Sequence, residues 1–210
     1  MKKIVTGLIL ASTILTAGCN TTASSRNLAD AKVSGQDLAQ QVCSICHGAD
    51  GNSTNPTFPK LAGQQSAYIV GQLKEFRSHD RSDPAGYQYM WGIARHLTDK
   101  QIAELATYFS AQKNIPGPSR NPQLEAEGKQ IFTHGIAAQN TPACATCHGP
   151  EGAGNGIFPR IAGQHANYIE KQLGIFKNTG QRPDGAMMKV ITHNITPAQV
   201  KEVAAYLSTL

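Results

Sequence analysis

Two short motifs place cysteine and histidine at a spacing that can bind one cofactor each. Both read Cys-x-x-Cys-His, at residues 43–47 and 144–148. Thiols three positions apart lie on one helical turn, where they can form thioethers to the two vinyl groups of a haem, and the adjacent imidazole can ligate the iron. The sequence therefore predicts two covalently bound c-type haems. The attaching cysteines are Cys43, Cys46, Cys144 and Cys147, and the proximal ligands are His47 and His148.

Other uses of paired cysteines fit less well. Zinc sites with two such pairs usually place them about 15 to 20 residues apart, whereas Cys46 and Cys144 are separated by 98 positions. A thioredoxin-like redox pair needs a βαβ context, and no segment has strand periodicity. Two structural disulfides stay open as an alternative, although their short loops would be strained and the trailing histidine would be coincidental twice.

Methionines are the candidates for the sixth iron ligand. Met90 lies eight residues before Thr98 and Met188 lies eight residues before Thr196, so both occupy the same position relative to the last helix of their half. Met187 has no such match, and we predict that it packs in a core.

Histidine is the other common sixth ligand, but no remaining histidine recurs at equivalent positions. We expect these residues at the surface or around the sites: His79, His96, His134, His165 and His193. An iron bound by both histidine and methionine has no free position for a substrate. The sequence thus predicts an electron carrier rather than an enzyme.

The chain is an internal repeat with an offset near one hundred residues. Over residues 58–76 and 158–176, ten of nineteen aligned positions are identical. Apolar residues recur at helical spacing in both halves, and Thr98 and Thr196 begin capping boxes. A stretch with three prolines and a glycine joins the halves. We predict an all-α fold of two tandem domains, each a few helices around a covalent haem: 32–113 and 123–210, joined by the connector 114–122.

The N-terminus has the features of an export signal, with two lysines, a short apolar run and small residues before Cys19. We predict a signal peptide over residues 1–19 that ends in a lipobox, with Cys19 lipidated, and a flexible tether over residues 20–31. Cleavage after Ala23, which would remove Cys19, is the alternative. Either route predicts the periplasm, with a membrane anchor if Cys19 carries lipid.

The formal net charge of +5 is weak and evenly spread, so we predict no nucleic-acid binding.

These residues resemble the dihaem cytochromes c4, which are bacterial electron carriers. The resemblance covers nearly the whole mature chain and rests on residues 46–52 (CHGADGN), on the paired Phe-Pro-x-(Leu/Ile)-Ala-Gly-Gln segments and on residues 106–110 (ATYFS). It implies two cytochrome c folds about a pseudo-twofold axis, with His47 and Met90 as ligands in one and His148 and Met188 in the other.

The resemblance also implies that the carbonyls of Pro59 and Pro159 accept a hydrogen bond from the proximal imidazoles. Side chains that it suggests for the haem propionates are Tyr68, Tyr168, Arg77 and Lys177. In function, it implies a respiratory carrier between a quinol-oxidising complex and a terminal oxidase. A peroxidase-like dihaem enzyme and the cytochrome subunit of a dehydrogenase complex are the alternatives.

Overall fold

The structure, a computed structural model, describes residues 25–210. The predicted signal peptide, Cys19 and residues 20–24 of the predicted tether lie outside the described residues. The regular structure of residues 25–210 is helical apart from two isolated β-bridges. This confirms the predicted all-α fold. Within the same range, no helix combines the length and apolar character needed to cross a membrane.

The first domain begins with an unbroken helical run that leads directly into its attachment motif. Ser34 caps the run by accepting a hydrogen bond from the backbone of Asp37. A π-helical turn, Ala39–Cys43, lies between two α-helical segments. The helices of this domain are α1 Gly35–Leu38, α2 Ser44–His47, α3 Ser66–Ser78, α4 Trp91–Ala94 and α5 Asp99–Ser110, with a second π-helical turn at Gly86–Met90.

The second domain follows the same order, with a longer first helix. This helix begins at Pro122, the last residue of the predicted connector, because proline suits the first helical position and Asn121 caps the helix. Its helices are α6 Pro122–His134, α7 Ala145–His148, α8 Ala166–Asn178, α9 Ala186–Ile191 and α10 Pro197–Ser208, with 3₁₀ turns at Ala137–Gln139 and Pro183–Gly185.

The last helix of each domain begins with the predicted capping box. The Thr98 hydroxyl accepts from the backbone of Gln101, whose side chain returns a contact to the backbone N–H of Thr98. Thr196 and Gln199 repeat this arrangement. Both predicted capping boxes are confirmed, and each fixes the residue at which the last helix of its domain begins.

In each domain the first helix meets the last helix at a glycine. A Cβ added to Gly128 would overlap the carbonyl oxygen of Glu202 in α10, and one added to Gly35 would overlap Glu104 in α5. Only glycine permits so close an approach of two backbones. A close contact between the first and the last helix therefore occurs in both copies.

Each domain has its own hydrophobic core, and the two cores differ in size. Eleven buried apolar residues form the first cluster, among them Leu38, Ile102 and Phe109. Seven form the second, among them Phe132 and Val203. The second domain therefore has the smaller set of buried apolar residues.

Candidate functional site

The thiols of each attachment motif lie one helical turn apart. Cys43 ends a π-helical turn and Cys46 follows in α2, while Cys144 precedes α7 and Cys147 lies within it. All four are partly buried free thiols. Burial raises the pKa of Cys43 to about 12 and that of Cys144 to about 11, so both thiols are neutral. Within residues 25–210 no disulfide links the two cysteines of either motif.

The motif histidines contact the two prolines that the resemblance singled out. Nδ1 of His47 lies 2.9 Å from the carbonyl oxygen of Pro59, and Nδ1 of His148 lies 2.9 Å from that of Pro159. A carbonyl can only accept, so each Nδ1–H donates and each Nε2 keeps its lone pair. Burial lowers the pKa of both imidazoles, although the proline contacts oppose this. Both rings are therefore neutral, as a metal ligand requires.

The proline loops are held against the attachment helices by glycines with left-handed backbone. Gly51 has φ 75° and its carbonyl accepts the backbone N–H of Leu61 at 2.7 Å. Gly152 has φ 66° and accepts from Ile161 at 2.8 Å. A side chain at Gly51 would strain the backbone and collide with Ala62. These turns fix the carbonyls that orient the imidazoles.

The candidate methionines lie just before the last helix of each domain. Met90 ends the π-helical turn Gly86–Met90 and is partly buried against the first core. Met188 is partly buried in α9, whereas Met187 is 59% exposed. The prediction that Met187 packs in a core is therefore wrong. Neighbouring residues of a helix point about 100° apart, so α9 can direct only one of the two methionines inward.

Two of the residues suggested for the propionates contact backbone carbonyls of their own domain. Arg77 donates to the carbonyl of Leu97 at 2.8 Å and pairs with Asp99 at 2.7 Å. Lys177 donates to the carbonyl of Ile195 at 2.7 Å. Both side chains thus hold the residues just before the last helix of their domain.

The two tyrosines suggested for the propionates contact arginines of the opposite domain. Arg182 Nη2 donates to the Tyr68 hydroxyl at 2.7 Å, and Arg81 Nη2 lies 3.5 Å from that of Tyr168. Sequence reasoning missed both arginines. The available signal was their near-equivalent spacing, five and six residues after the repeated phenylalanines.

A buried polar network surrounds these arginines at the domain interface. Gln72 Oε1 accepts from Arg81 at 2.6 Å and from Arg182 at 2.8 Å, and Gln172 Oε1 accepts from Arg182 at 2.6 Å. Asp83, with no exposed surface, pairs with Arg81 at 2.9 Å. Burial opposes ionisation of Asp83, but the Arg81 charge still lowers its pKa.

The two domains are also joined through the loops that carry the prolines. Gln164 accepts the backbone N–H of Lys60 at 2.8 Å and donates to its carbonyl at 3.0 Å. Gln64 accepts from the backbone of Arg160 at 2.7 Å and donates to its carbonyl at 3.0 Å. We call these four hydrogen bonds the reciprocal glutamine contact. It ties together the backbone segments directly after Pro59 and Pro159.

Replacing Gln164 by alanine should weaken the docking of the two domains. The backbone N–H of Lys60 would lose its acceptor in a buried position, and such a loss costs about 2 kcal/mol. Urea unfolding of the haem-loaded protein measures the change. The matched control is Gln65→Ala, which removes a more exposed contact with Ala153 and should cost less than about 0.5 kcal/mol. Equal losses in the two variants would contradict the prediction.

Among the remaining histidines, only His165 lies at the domain interface. Its Nε2 lies 2.9 Å from both the carbonyl oxygen and the hydroxyl of Ser53. The others, His79, His96, His134 and His193, are exposed. Burial, reinforced by the Lys60 charge, lowers the pKa of His165.

This lowered pKa predicts that acid weakens the folded protein. Because the unfolded chain takes up a proton at His165 more readily, the free energy of unfolding should fall as pH drops through about 6.5. The loss should level off below the folded-state pKa. Urea unfolding at pH 7.5 and 5.5 measures it, and His165→Gln should reduce the difference while the exposed His193→Gln should not. An unchanged difference in His165→Gln would assign the effect to other groups.

The residues around each motif fit a haem. Each copy offers two free thiols for vinyl groups, a neutral imidazole and a partly buried methionine. Among the buried groups of residues 25–210, Arg182 Nε and Gln172 Nε2 have no acceptor. The propionate carboxylates of a haem are acceptors of the kind that these donors lack.

Comparison with known proteins gives the same picture. The cytochrome c family model matches residues 33–113 and 125–210. The chain is 46% identical to cytochrome c-552 of Acidithiobacillus ferridurans over 170 residues, which cover 80% of this chain and 73% of that protein. It is 36% identical to cytochrome c4 of Pseudomonas aeruginosa over 206 residues, covering 96% and 98%. The crystal structure of reduced cytochrome c4 from Pseudomonas stutzeri superposes with a TM-score of 0.76 at 36% identity, covering 86% and 98%.

Two cytochrome c domains in one chain, each with its own attachment motif, make this protein a dihaem electron-transfer cytochrome. It carries two covalently bound c-type haems, as the sequence predicted. The chain belongs to the dihaem cytochrome c4 family.

Proposed function

We propose that this protein is a periplasmic carrier that takes single electrons from a quinol-oxidising complex and delivers them to a terminal oxidase. Each haem supplies a one-electron ferric/ferrous couple. The observation that carries the proposal is the contact of 2.9 Å between histidine and proline, repeated in both copies. Because both imidazoles have the same tautomer, both irons would have the same kind of proximal ligand, which suits two haems that both carry electrons.

We assign the axial ligands as His47 with Met90 and His148 with Met188. Partial burial of Met188 beside the exposed Met187 supports the choice in the second domain. The thioether links fall to Cys43, Cys46, Cys144 and Cys147, within domains that span residues 32–113 and 123–210. A thioether in the sixth position excludes peroxide from the iron, which favours a carrier over a peroxidase.

Electron transfer can be tested directly with the purified haem-loaded protein. After reduction, it should be reoxidised by membranes that contain a terminal oxidase, with matching oxygen uptake that cyanide abolishes. Turnover of hydrogen peroxide without oxidase would instead establish the enzyme alternative. Stable co-purification with a dehydrogenase, together with no reaction with the oxidase, would establish the subunit alternative.

Membrane attachment is proposed through a lipid on Cys19. Fractionation of cells that express the full chain should place the protein with the membranes, and Cys19→Ser should release it. If both forms are soluble in the periplasm, the leader is cleaved beyond Cys19. Recovery of haem-loaded protein from the cytoplasm would refute export itself.

A further inference from the structure

Two buried cations follow the prolines that contact the motif histidines. Lys60 and Arg160 occupy equivalent positions in the repeat and are 8% and 5% exposed. Within residues 25–210 neither forms an ion pair. Buried charges are normally paired, because desolvation of a lone charge is costly. This cost applies most to the Arg160 guanidinium, whose contacts are buried, and less to the Lys60 ammonium, whose contact with the connector is partly buried.

Both cations are held by backbone carbonyls rather than by carboxylates. Lys60 Nζ donates to the carbonyl of Ile115 in the connector at 2.5 Å. Arg160 donates to the carbonyl of Ala162 and, at 3.0 Å, to that of Lys60. Carbonyls orient a cation without cancelling its charge, no carboxylate of residues 25–210 pairs with either group, and Arg160 Nε has no acceptor among these residues.

The titration behaviour agrees with uncompensated charge. Burial and the neighbouring Arg160 lower the pKa of Lys60, and the exposed Asp50 offsets this only in part. Burial lowers the pKa of Arg160 to about 10. Arg160 therefore stays protonated at neutral pH.

The position of Arg160 links it to both haem sites. In its own domain it directly follows Pro159, whose carbonyl accepts from His148. Across the interface its guanidinium contacts the carbonyl of Lys60, the residue next to the one that accepts from His47. Lys60 directly follows Pro59 of the first domain, and its ammonium group donates to the connector rather than to a backbone carbonyl of the second domain.

We propose that Lys60 and Arg160 are electrostatic tuning residues that raise the reduction potentials of the two haems, with Arg160 acting on both. Oxidation adds a positive charge at the iron. A fixed cation on the residue after the proline that contacts the proximal histidine disfavours that charge, and the low dielectric of the interface strengthens the effect. The inference rests on the proposed function, because it takes His47 and His148 as the proximal ligands.

The test is a spectroelectrochemical titration of the haem-loaded protein with charge-removing and charge-preserving variants. Arg160→Met should lower both potentials, each by a roughly tenfold shift in the equilibrium with a redox mediator, which is about 59 mV for one electron. Lys60→Met should lower one potential more than the other. Arg160→Lys and Lys60→Arg should restore most of the wild-type values. The exposed Lys100→Met should change neither potential.

If both methionine variants keep the wild-type potentials, the proposal is overturned. It is also overturned if the charge-preserving variants shift the potentials as much as the methionine variants do. If Arg160→Met does not fold, Lys60→Met and Arg160→Gln decide the question in the same way. The weak charge-transfer band of methionine-ligated ferric haem is recorded in parallel. Its absence from the wild-type protein would refute the proposed ligands, whereas its presence with unshifted potentials would refute only the tuning role.

Discussion

Replacing Cys144 and Cys147 together by serine should unfold the second domain. The variant should carry one haem instead of two, because serine forms no thioether. Without its haem, the domain keeps only the seven buried apolar residues of its core. Each Å² of apolar surface buried against the haem contributes about 25 cal/mol, whereas the total stability of a domain is only about 5 to 15 kcal/mol. Loss of the haem contact therefore removes a large share of the stability of this domain.

The matching replacement of Cys43 and Cys46 is the natural comparison. The first core has eleven buried apolar residues and includes Leu38, Ile102 and Phe109. This domain should therefore lose its haem but keep more helix than the second domain keeps in its own variant. A pyridine haemochrome assay gives the haem count, and far-ultraviolet circular dichroism measures the remaining helix. Full helicity in the Cys144/Cys147 variant would show that the second domain does not need its cofactor to fold.

Met188→Ala should open the iron of the second domain to added ligands. A methionine thioether that occupies the sixth position must leave before cyanide can bind, so its removal should raise cyanide affinity by roughly tenfold or more and lower that potential. Cyanide titration followed in the Soret region measures the affinity. Met90→Ala should have the same effect on the first domain.

The adjacent Met187 provides a matched control, since its side chain is 59% exposed. Met187→Ala removes the same thioether from the same helix and should leave cyanide affinity and both potentials unchanged. Strong cyanide binding in Met187→Ala together with wild-type behaviour in Met188→Ala would exchange the roles of the two residues.

Local sequence patterns were enough to predict much of the fold and the cofactor. The attachment motifs depend on neighbours within one helical turn, and the capping boxes of Thr98 and Thr196 depend on contacts three residues apart. Contacts of this kind follow from the local sequence and do not depend on tertiary packing. The arrangement in two domains could be predicted for a different reason, because the sequence repeats at an offset near one hundred residues.

The interface could not be predicted in this way, because its contacts join residues far apart in the chain. Gln64 and Gln164 were visible only as repeated residues, and nothing near them shows that each bonds to the backbone of the other copy. Arg81 and Arg182 carried no sequence prediction, and only the folded chain shows them buried beside Gln72. Met187 was misjudged because the inward face of α9 is chosen by packing.

The reciprocal glutamine contact involves only backbone groups of the opposite domain. It therefore does not depend on which side chains the contacted residues carry. Lysine stands at position 60 and arginine at position 160, yet both backbones are held in the same way. Two repeats joined through peptide groups can carry different side chains at the contacted positions and still stay docked. The two domains therefore need not be identical at positions 60 and 160 for this contact to form.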